Sequence, residues 1–288
     1  PVVKDATYGK IWSLNDLKRF DEAEKVARDY IARYKTDQVY DIAAAEAQMM
    51  LGDIKFDAEN YIAAADEYLR VNSDYSDLPK FDPFKSRSLL QAGYAYYKEA
   101  ERNNWDTNLL AKAAAVFDQL VTQFERNFDK EKREFTARRE YVIPSIINLS
   151  LSYSKLREFD KARAALDLMY KDTEDYGRAM ILKGETYIDE GKLDDAVALY
   201  RKMLTDKTIS ESWRSRAAIE LASQLTDAGR HSEAVVEYQR IVDEYPTSEF
   251  ASTAMYYIGS SYYDMEPKTP ENMQKAIEAF KMMLVKYP

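Results

Sequence analysis

The sequence contains no cysteine and a single histidine, His231. Without cysteine the chain has no disulfide, no thiolate metal site and no cysteine nucleophile. A single histidine is a poor basis for a histidine-based zinc site or a Ser–His–Asp triad. We expect His231 to lie in a surface turn. The sequence therefore offers no basis for a cofactor, a metal site or catalysis, and we expect a protein that is not an enzyme.

Glycine and proline are also scarce, with 8 of each in 288 residues. This low content disfavours an all-β or low-complexity chain, while 46% hydrophobic residues suffice for a substantial core. The longest uncharged run, from Tyr141 to Ser154, is too short to cross a bilayer. We therefore expect a helical chain without a membrane span.

Positive charge is in deficit, because 41 lysines and arginines face 50 aspartates and glutamates, which gives a net charge of −9. Proteins that bind nucleic acid normally present a basic face to the phosphates. The charge balance therefore argues against DNA or RNA as the main ligand.

Two adjacent copies of one pattern lie between Arg178 and Pro246. In each copy a small residue is followed twelve positions later by alanine, and four positions after that by tyrosine. The members are Gly184, Ala196 and Tyr200 in the first copy, and Ala222, Ala234 and Tyr238 in the second. Two helices joined by a short turn lie antiparallel, and they approach closely where small side chains face each other.

The spacing makes three local predictions. Gly184 and Ala196 should form the close contact of the first pair. Gly191 and Gly229 should lie in the turns, where a positive φ costs glycine little. Asp194 and Ser232 should cap the second helices of the two pairs.

This small–alanine–aromatic pattern resembles the tetratricopeptide (TPR) repeat family, whose repeat is a two-helix unit of about 34 residues. The family's tryptophan is replaced by Met180 and Ala218 in the two copies. The resemblance implies an all-α fold, namely an α-solenoid of helix pairs that forms a right-handed superhelix.

Seven alanines at the equivalent position predict about seven irregular units in one solenoid over residues 1–288. Their spacing varies between 34 and 49 residues. The alanines are Ala23, Ala64, Ala113, Ala162, Ala196, Ala234 and Ala276, in units at about 5–36, 39–76, 83–125, 143–173, 177–207, 213–246 and 251–288. Because the chain starts at Pro1 and stops at Pro288 within a pattern, we expect a fragment of a longer chain.

The irregular spacing predicts where the units depart from the ideal repeat. Extra residues are expected as insertions around Trp105 and Pro267, and Pro144 is expected in the first turn of its helix. The stretch from Ser73 to Phe84 is expected to be a loop. The charged stretch from Glu125 to Glu140 is interpreted as a solvated helix or linker, with a dedicated binding arm as the alternative.

The first helices of such a stack should line its concave side, with exposed residues at i, i+3, i+4 and i+7. Arginine opens this face in three units and aspartate closes it in four, with aromatic or aliphatic residues between. Such a surface suits an extended peptide or a partner helix. The alternative is that the arginines and aspartates only solvate helix ends and pair with each other. The candidate binding residues are Arg87, Tyr94, Tyr97, Arg178, Glu185, Ile188, Asp189, Arg216, Asp227, Tyr256, Tyr263 and Asp264, and the expected face also includes Met49 and Ile181.

The resemblance implies a non-catalytic scaffold that binds a protein or peptide partner. The segments from Tyr245 to Ala251 and from Ala254 to Gly259 resemble bacterial envelope TPR proteins of the Tol–Pal cell-division coordinator and outer-membrane assembly lipoprotein type. This likeness implies a periplasmic or outer-membrane-associated location, with the cytoplasm left open. The alternatives are the solenoid module of a larger enzyme or polysaccharide-export complex, of the lytic-transglycosylase or exopolysaccharide-scaffold kind, and a self-assembling homo-oligomer.

Overall fold

The computed structural model describes residues 2–34, 41–75, 82–126 and 139–287. Within these ranges the chain forms fourteen helices and no strand, which confirms the predicted all-α class. The helices are α1 (Val2–Asp16), α2 (Phe20–Tyr34), α3 (Asp41–Asp57), α4 (Tyr61–Asp74), α5 (Asp82–Arg102), α6 (Thr107–Arg126), α7 (Arg139–Lys155), α8 (Phe159–Leu166), α9 (Asp175–Asp189), α10 (Leu193–Thr205), α11 (Glu211–Asp227), α12 (His231–Glu244), α13 (Ala251–Asp264) and α14 (Pro270–Lys286).

The described residues group into two compact units, Pro1–Ala165 and Leu166–Pro288. In the first unit each helix from α1 to α7 packs on the next one along the chain, and the same holds from α9 to α14 in the second. Four pairs of first helices are also in contact, namely α1 with α3, α3 with α5, α5 with α7, and α9 with α11. This nearest-neighbour packing is that of a helix-pair repeat.

The seven alanines that defined the units all lie in second helices and are buried. Ala23, Ala64, Ala113, Ala162, Ala196 and Ala234 have no exposed surface, and Ala276 has 3%. At such fully buried positions, only a small side chain lets neighbouring helices approach closely. The pattern therefore identified every second helix correctly.

Small residues of the first helices meet an aromatic ring of the second helix. A Cβ built on Gly184 would overlap the ring of Tyr200, and one built on Gly52 would overlap that of Tyr68. At Gly93 the added atom would lie 2.6 Å from Phe117, and at Gly259 it would lie 2.7 Å from Phe280. Tyr200 thus covers the glycine of its own pair.

The same backbone conformation ends the first helix in five of the pairs. The second residue before the second helix has a positive φ, which is 84° at Gly191 and 71° at Gly229. Lys18, Glu59 and Arg157 hold the same position in three other turns, with φ near 60°. The α5–α6 turn differs, because it has two residues with positive φ, Asn104 and Trp105. In each of the five turns with one such residue, the N–H of the next residue reaches back five positions, as Lys192 N does to the Tyr187 carbonyl at 2.8 Å. This hydrogen bond is the mark of a Schellman ending, so the predicted role of both glycines is confirmed.

The predicted helix caps were wrong. Lys192 and Arg230 occupy the cap positions of α10 and α12, and neither makes a side-chain capping bond. The left-handed residue ends the turn so abruptly that each second helix starts two residues earlier than expected. Asp194 therefore lies inside the first turn, where its negative charge interacts favourably with the positive end of the helix dipole.

Extra residues in the third pair lengthen its helices. α5 has 21 residues and α6 has 20, and only residues 103–106 separate them. The expected insertion around Trp105 is thus a short turn, in which the indole packs edge-on against Tyr97 with ring centres 5.5 Å apart.

Other boundaries also shift from the predicted ones. Pro144 lies within α7, in the second turn. Helix also covers part of the predicted loop at each end, since α4 continues to Asp74 and α5 starts at Asp82. Most of the charged stretch from Glu125 to Glu140 lies outside the described residues. Around Pro267 the predicted interruption does separate α13 from α14, and the Thr269 hydroxyl caps α14 by accepting from Asn272 N at 3.1 Å.

Second helices are joined by ion pairs with a buried carboxylate. The side chain of Glu237 on α12 is only 3% exposed and meets Arg201 of α10 at 3.1 Å. Glu67 on α4 meets Arg28 of α2 at 2.7 Å in the same way, and it also accepts from Gln48 at 2.7 Å. These contacts reinforce the stacking of one pair on the next.

Candidate functional site

The twelve candidate binding residues lie on first helices of both compact units. Arg87, Tyr94 and Tyr97 belong to α5 in the first unit. The other nine lie on α9, α11 and α13 in the second unit, and we call the exposed side of these three helices the first-helix face.

The candidates on α5 are engaged by their own neighbours. Arg87 Nη2 lies 3.4 Å from the Asp53 carboxylate. Tyr94 stacks on Phe56 with ring centres 5.8 Å apart, and Tyr97 packs against Trp105. At Arg87 the structure thus agrees with the alternative that the charges pair with each other.

Asp53 lies in a largely buried environment next to α4. Burial raises the pKa of its carboxyl group, and the nearby charge of Asp57 adds to this effect. A hydrogen bond from the Tyr68 hydroxyl at 2.7 Å and the charge of Arg87 oppose the rise without cancelling it. The carboxylate is therefore less favourable here than in the unfolded chain.

Two residues of the expected face are part of the core. Ile181 and Met49 are 5% and 2% exposed, so their assignment to the binding surface was wrong. A first helix packs on its own second helix and on adjacent first helices. Its exposed stripe is therefore narrower than the simple helical spacing suggests.

On α9 and α11 the charged candidates reach solvent. Arg178, Glu185 and Asp189 are exposed, and Ile188 is half-buried between them. Arg216 pairs within its own helix, with Nη2 2.7 Å from Glu220 Oε1. The pKa of Glu185 is raised by partial burial and by the charge of Glu220, with Arg216 acting in the opposite direction.

The aromatic part of the first-helix face lies on α13. Tyr256 and Tyr263 are 48% and 52% exposed, which is a large fraction for tyrosine. Tyr256 packs obliquely on Phe280 with ring centres 5.8 Å apart, and this contact holds its exposed ring in place. A well-anchored ring that remains half in solvent can contact a partner at little cost in side-chain entropy.

Tyr257 is a member of this face that the sequence analysis missed. It is 37% exposed and stacks on Tyr238 of α12, with centres 5.4 Å apart and planes 14° apart. The sequence signal that could have identified it is the pair of adjacent tyrosines, Tyr256 and Tyr257. Adjacent helical residues point about 100° apart, so a narrow buried stripe does not hold both.

Negative charge gathers at the C-terminal ends of the same three helices. α9, α11 and α13 each end on aspartate, namely Asp189, Asp227 and Asp264, and none has a basic residue in its last turn. Within the described ranges no lysine or arginine lies at ion-pair distance from these three carboxylates. A carboxylate at this end adds to the negative pole of the helix dipole. We call these three helix ends the anionic edge.

The part of the chain that the structure describes has no group of three histidine, cysteine, aspartate or glutamate residues able to hold a metal ion. Over the same ranges, none of the helices combines the length and the apolar character that crossing a membrane requires. The first-helix face thus offers aromatic rings, carboxylates and guanidinium groups for contact with another molecule.

Two family models, both described as tetratricopeptide repeat, match the sequence at residues 147–212 and at residues 216–248 and 253–288. Among solved structures, the chain is similar to a TPR protein from Parabacteroides merdae, with 12% identity and a TM-score of 0.51 over 100% of this chain and 94% of that one. It is also similar to the C-terminal part of a TPR repeat-containing protein from Cytophaga hutchinsonii, with 13% identity and a TM-score of 0.55 over 98% and 95% of the two chains. No curated protein matches the sequence.

At such low identity the solved structures show the fold alone. The family models match the tetratricopeptide repeat over slightly less than half of the chain, all of it after residue 146, and the described residues have the helix-pair fold of TPR proteins. The predicted resemblance to this family is confirmed. The likeness to its bacterial envelope members stays a prediction.

Proposed function

We propose that the chain is a non-catalytic scaffold that binds an extended peptide or a helix of a partner protein on the first-helix face. The observation that carries this proposal is the group of exposed tyrosines on α13, which are anchored at one edge and open to solvent at the other. Aromatic residues of this kind dominate the energetics of protein interfaces. The repeat family supports an interaction role in general.

The proposal is tested by selecting ligands for the protein from a random peptide library. Selected sequences should bind the wild-type protein and lose at least about tenfold in affinity for the variant Tyr256→Ala/Tyr263→Ala, since the removed rings are interface anchors. Unchanged circular dichroism and melting temperature would show that the variant is folded.

Val236→Ala is the matched control. Val236 is an exposed apolar side chain on the second helix α12, 59% accessible, outside the first-helix face. Its removal should leave affinity within about twofold, because an isolated exposed apolar residue contributes little to a remote interface. Failure to select any binding sequence, or equal loss in both variants, would refute the proposed surface.

We also propose that the partner belongs to a bacterial envelope assembly. The support is the likeness of the segments from Tyr245 to Ala251 and from Ala254 to Gly259 to TPR proteins of that compartment. Fractionation of the source cells, with the chain located by immunoblot, tests the compartment. Recovery with the cytosol would reject it, and recovery with periplasmic or outer-membrane material would support it.

A further inference from the structure

The anionic edge and the exposed tyrosines of the second unit are neighbours in space. Tyr257 stacks on Tyr238, and the Tyr238 hydroxyl lies 3.3 Å from Thr226 Oγ1, next to Asp227 at the end of α11. Asp264 follows Tyr263 directly at the end of α13 and accepts a hydrogen bond from Ser260 at 3.4 Å. We call Asp227, Tyr256, Tyr257, Tyr263 and Asp264 the tyrosine–aspartate surface.

Two arginines near this surface pair with carboxylates that do not belong to it. Arg230, which follows α11, pairs with Asp194 at 2.6 Å and with Glu233 at 2.7 Å. Arg216 pairs with Glu220 at the other end of α11. In the described residues neither Asp227 nor Asp264 has a lysine or arginine at ion-pair distance, and both lie near exposed tyrosines in a chain whose net charge is −9.

The chain itself shows that one of these rings accepts a cation. The Lys268 ammonium lies over the face of Tyr263, with Nζ 4.4 Å from the ring centre. The face of a tyrosine ring attracts lysine and arginine, and an adjacent carboxylate strengthens the attraction. The opposite combination, an acidic partner segment, would meet repulsion from both aspartates.

We propose that the tyrosine–aspartate surface binds a lysine- and arginine-rich segment of the partner protein. The cationic groups lie on the tyrosine faces and pair with Asp227 and Asp264, while the aliphatic stems of the basic side chains pack along the rings. This inference rests on the proposed function and adds the chemistry of the partner to it.

Fluorescence anisotropy of the intact protein with three synthetic peptides of equal length tests the inference. One peptide alternates lysine and arginine with alanine and leucine, the second has glutamate at every basic position, and the third has glutamine there. The basic peptide should bind at least about tenfold more tightly than the other two, with affinity falling as salt is raised. Equal binding of all three would overturn the inference.

Two variants separate a local site from general attraction by an acidic protein. Asp227→Asn/Asp264→Asn should weaken basic-peptide binding about tenfold or more. Asp195→Asn/Asp243→Asn removes the same two charges from the second helices α10 and α12, and should change affinity by less than about twofold, since exposed distant charges are screened. Equal weakening by both variants would overturn the inference, because it would show attraction by net charge alone.

The library selection described above distinguishes failure of this inference from failure of the proposed function. Enrichment of basic sequences that bind through Tyr256 and Tyr263 supports both. Enrichment of apolar or acidic sequences that bind through the same tyrosines overturns the cationic partner and leaves the proposed function standing. Selection of no sequence overturns both.

Discussion

At the scale of single residues, close packing of a glycine under an aromatic ring sets the distance between the two helices of a pair. Gly184 and Tyr200 are both buried, and a Cβ added to Gly184 would overlap the tyrosine ring. The structure thus explains why the pattern pairs a small residue with a tyrosine sixteen positions later.

Replacement of Gly184 by alanine should therefore destabilise the protein by about 1–3 kcal/mol, as overpacking of a close-packed core does. The measurement is the denaturant midpoint followed by circular dichroism. Gly9→Ala is the control, because Gly9 lies in the exposed part of α1 with nothing within 4 Å of an added Cβ. It should raise stability by roughly 0.5–1 kcal/mol through helix propensity alone. Similar effects of the two substitutions would contradict the packing account.

Asp53 makes stability depend on pH in a predictable direction. Its folded-state pKa is raised above the unfolded value, so the folded protein binds more protons over the pH range between the two. Stability from this group is therefore lost as pH rises from about 4 through the raised pKa. The fully ionised group at pH 7 is a net cost of folding.

Asp53→Asn should consequently stabilise the protein more at pH 7 than at pH 4, since asparagine keeps an acceptor for Tyr68 without the buried charge. Urea denaturation at both pH values measures the difference. Asp29→Asn, which removes an exposed aspartate of α2, should show no such pH-dependent gain. A larger gain for Asp53→Asn at pH 4 would disprove the assignment.

At the scale of helices and turns, one left-handed residue terminates the first helix in five pairs. Glycine fills this position at Gly191 and Gly229, whereas Lys18, Glu59 and Arg157 adopt the same conformation with a side chain. A left-handed conformation costs a residue with a Cβ about 1–2 kcal/mol. The three non-glycine turns therefore carry backbone strain that the glycine turns avoid.

Lys18→Gly should stabilise the first unit by about 0.5–1 kcal/mol, because relief of the strained φ outweighs the added flexibility of the unfolded chain. Lys25→Gly is matched in residue type and exposure but lies within α2, where glycine costs about 1 kcal/mol. Denaturant midpoints of the two variants should shift in opposite directions. A loss of stability in Lys18→Gly would contradict the strain argument.

At the scale of the whole molecule, the contacts are those of neighbours along the chain. α13 packs on α12 and α14, and the described residues of each unit repeat this arrangement. Folding of such an array is a sum of unit stabilities and nearest-neighbour interfaces. Removal of a terminal helix pair should therefore lower the free energy of unfolding of the remaining helices without unfolding them.

A chain of residues 1–250, which lacks α13 and α14, should keep its helical signal per residue. Its unfolding midpoint should fall, because the apolar side of α12 around Ile241 and Val242 becomes exposed. Circular dichroism at 222 nm and urea denaturation measure both quantities. If the shortened chain were largely unfolded, the unit would fold around a single cooperative core. That result would contradict the repeat model.

Sequence alone determined the helix-pair architecture, because close packing of paired helices requires small residues at recurring positions. That requirement is local, so the seven alanines identified the second helices, and Gly191 and Gly229 identified two turns.

Only the tertiary structure decided which residues of the first helices reach solvent. Helical spacing places Ile181 on the same stripe as Arg178 and Glu185, yet contacts with neighbouring helices bury it. The positions of the helix starts, the use of extra residues to lengthen α5 and α6, and the exposure of Tyr257 have the same origin. Each depends on what packs beside a segment, and residue spacing within the segment carries no information about that neighbour.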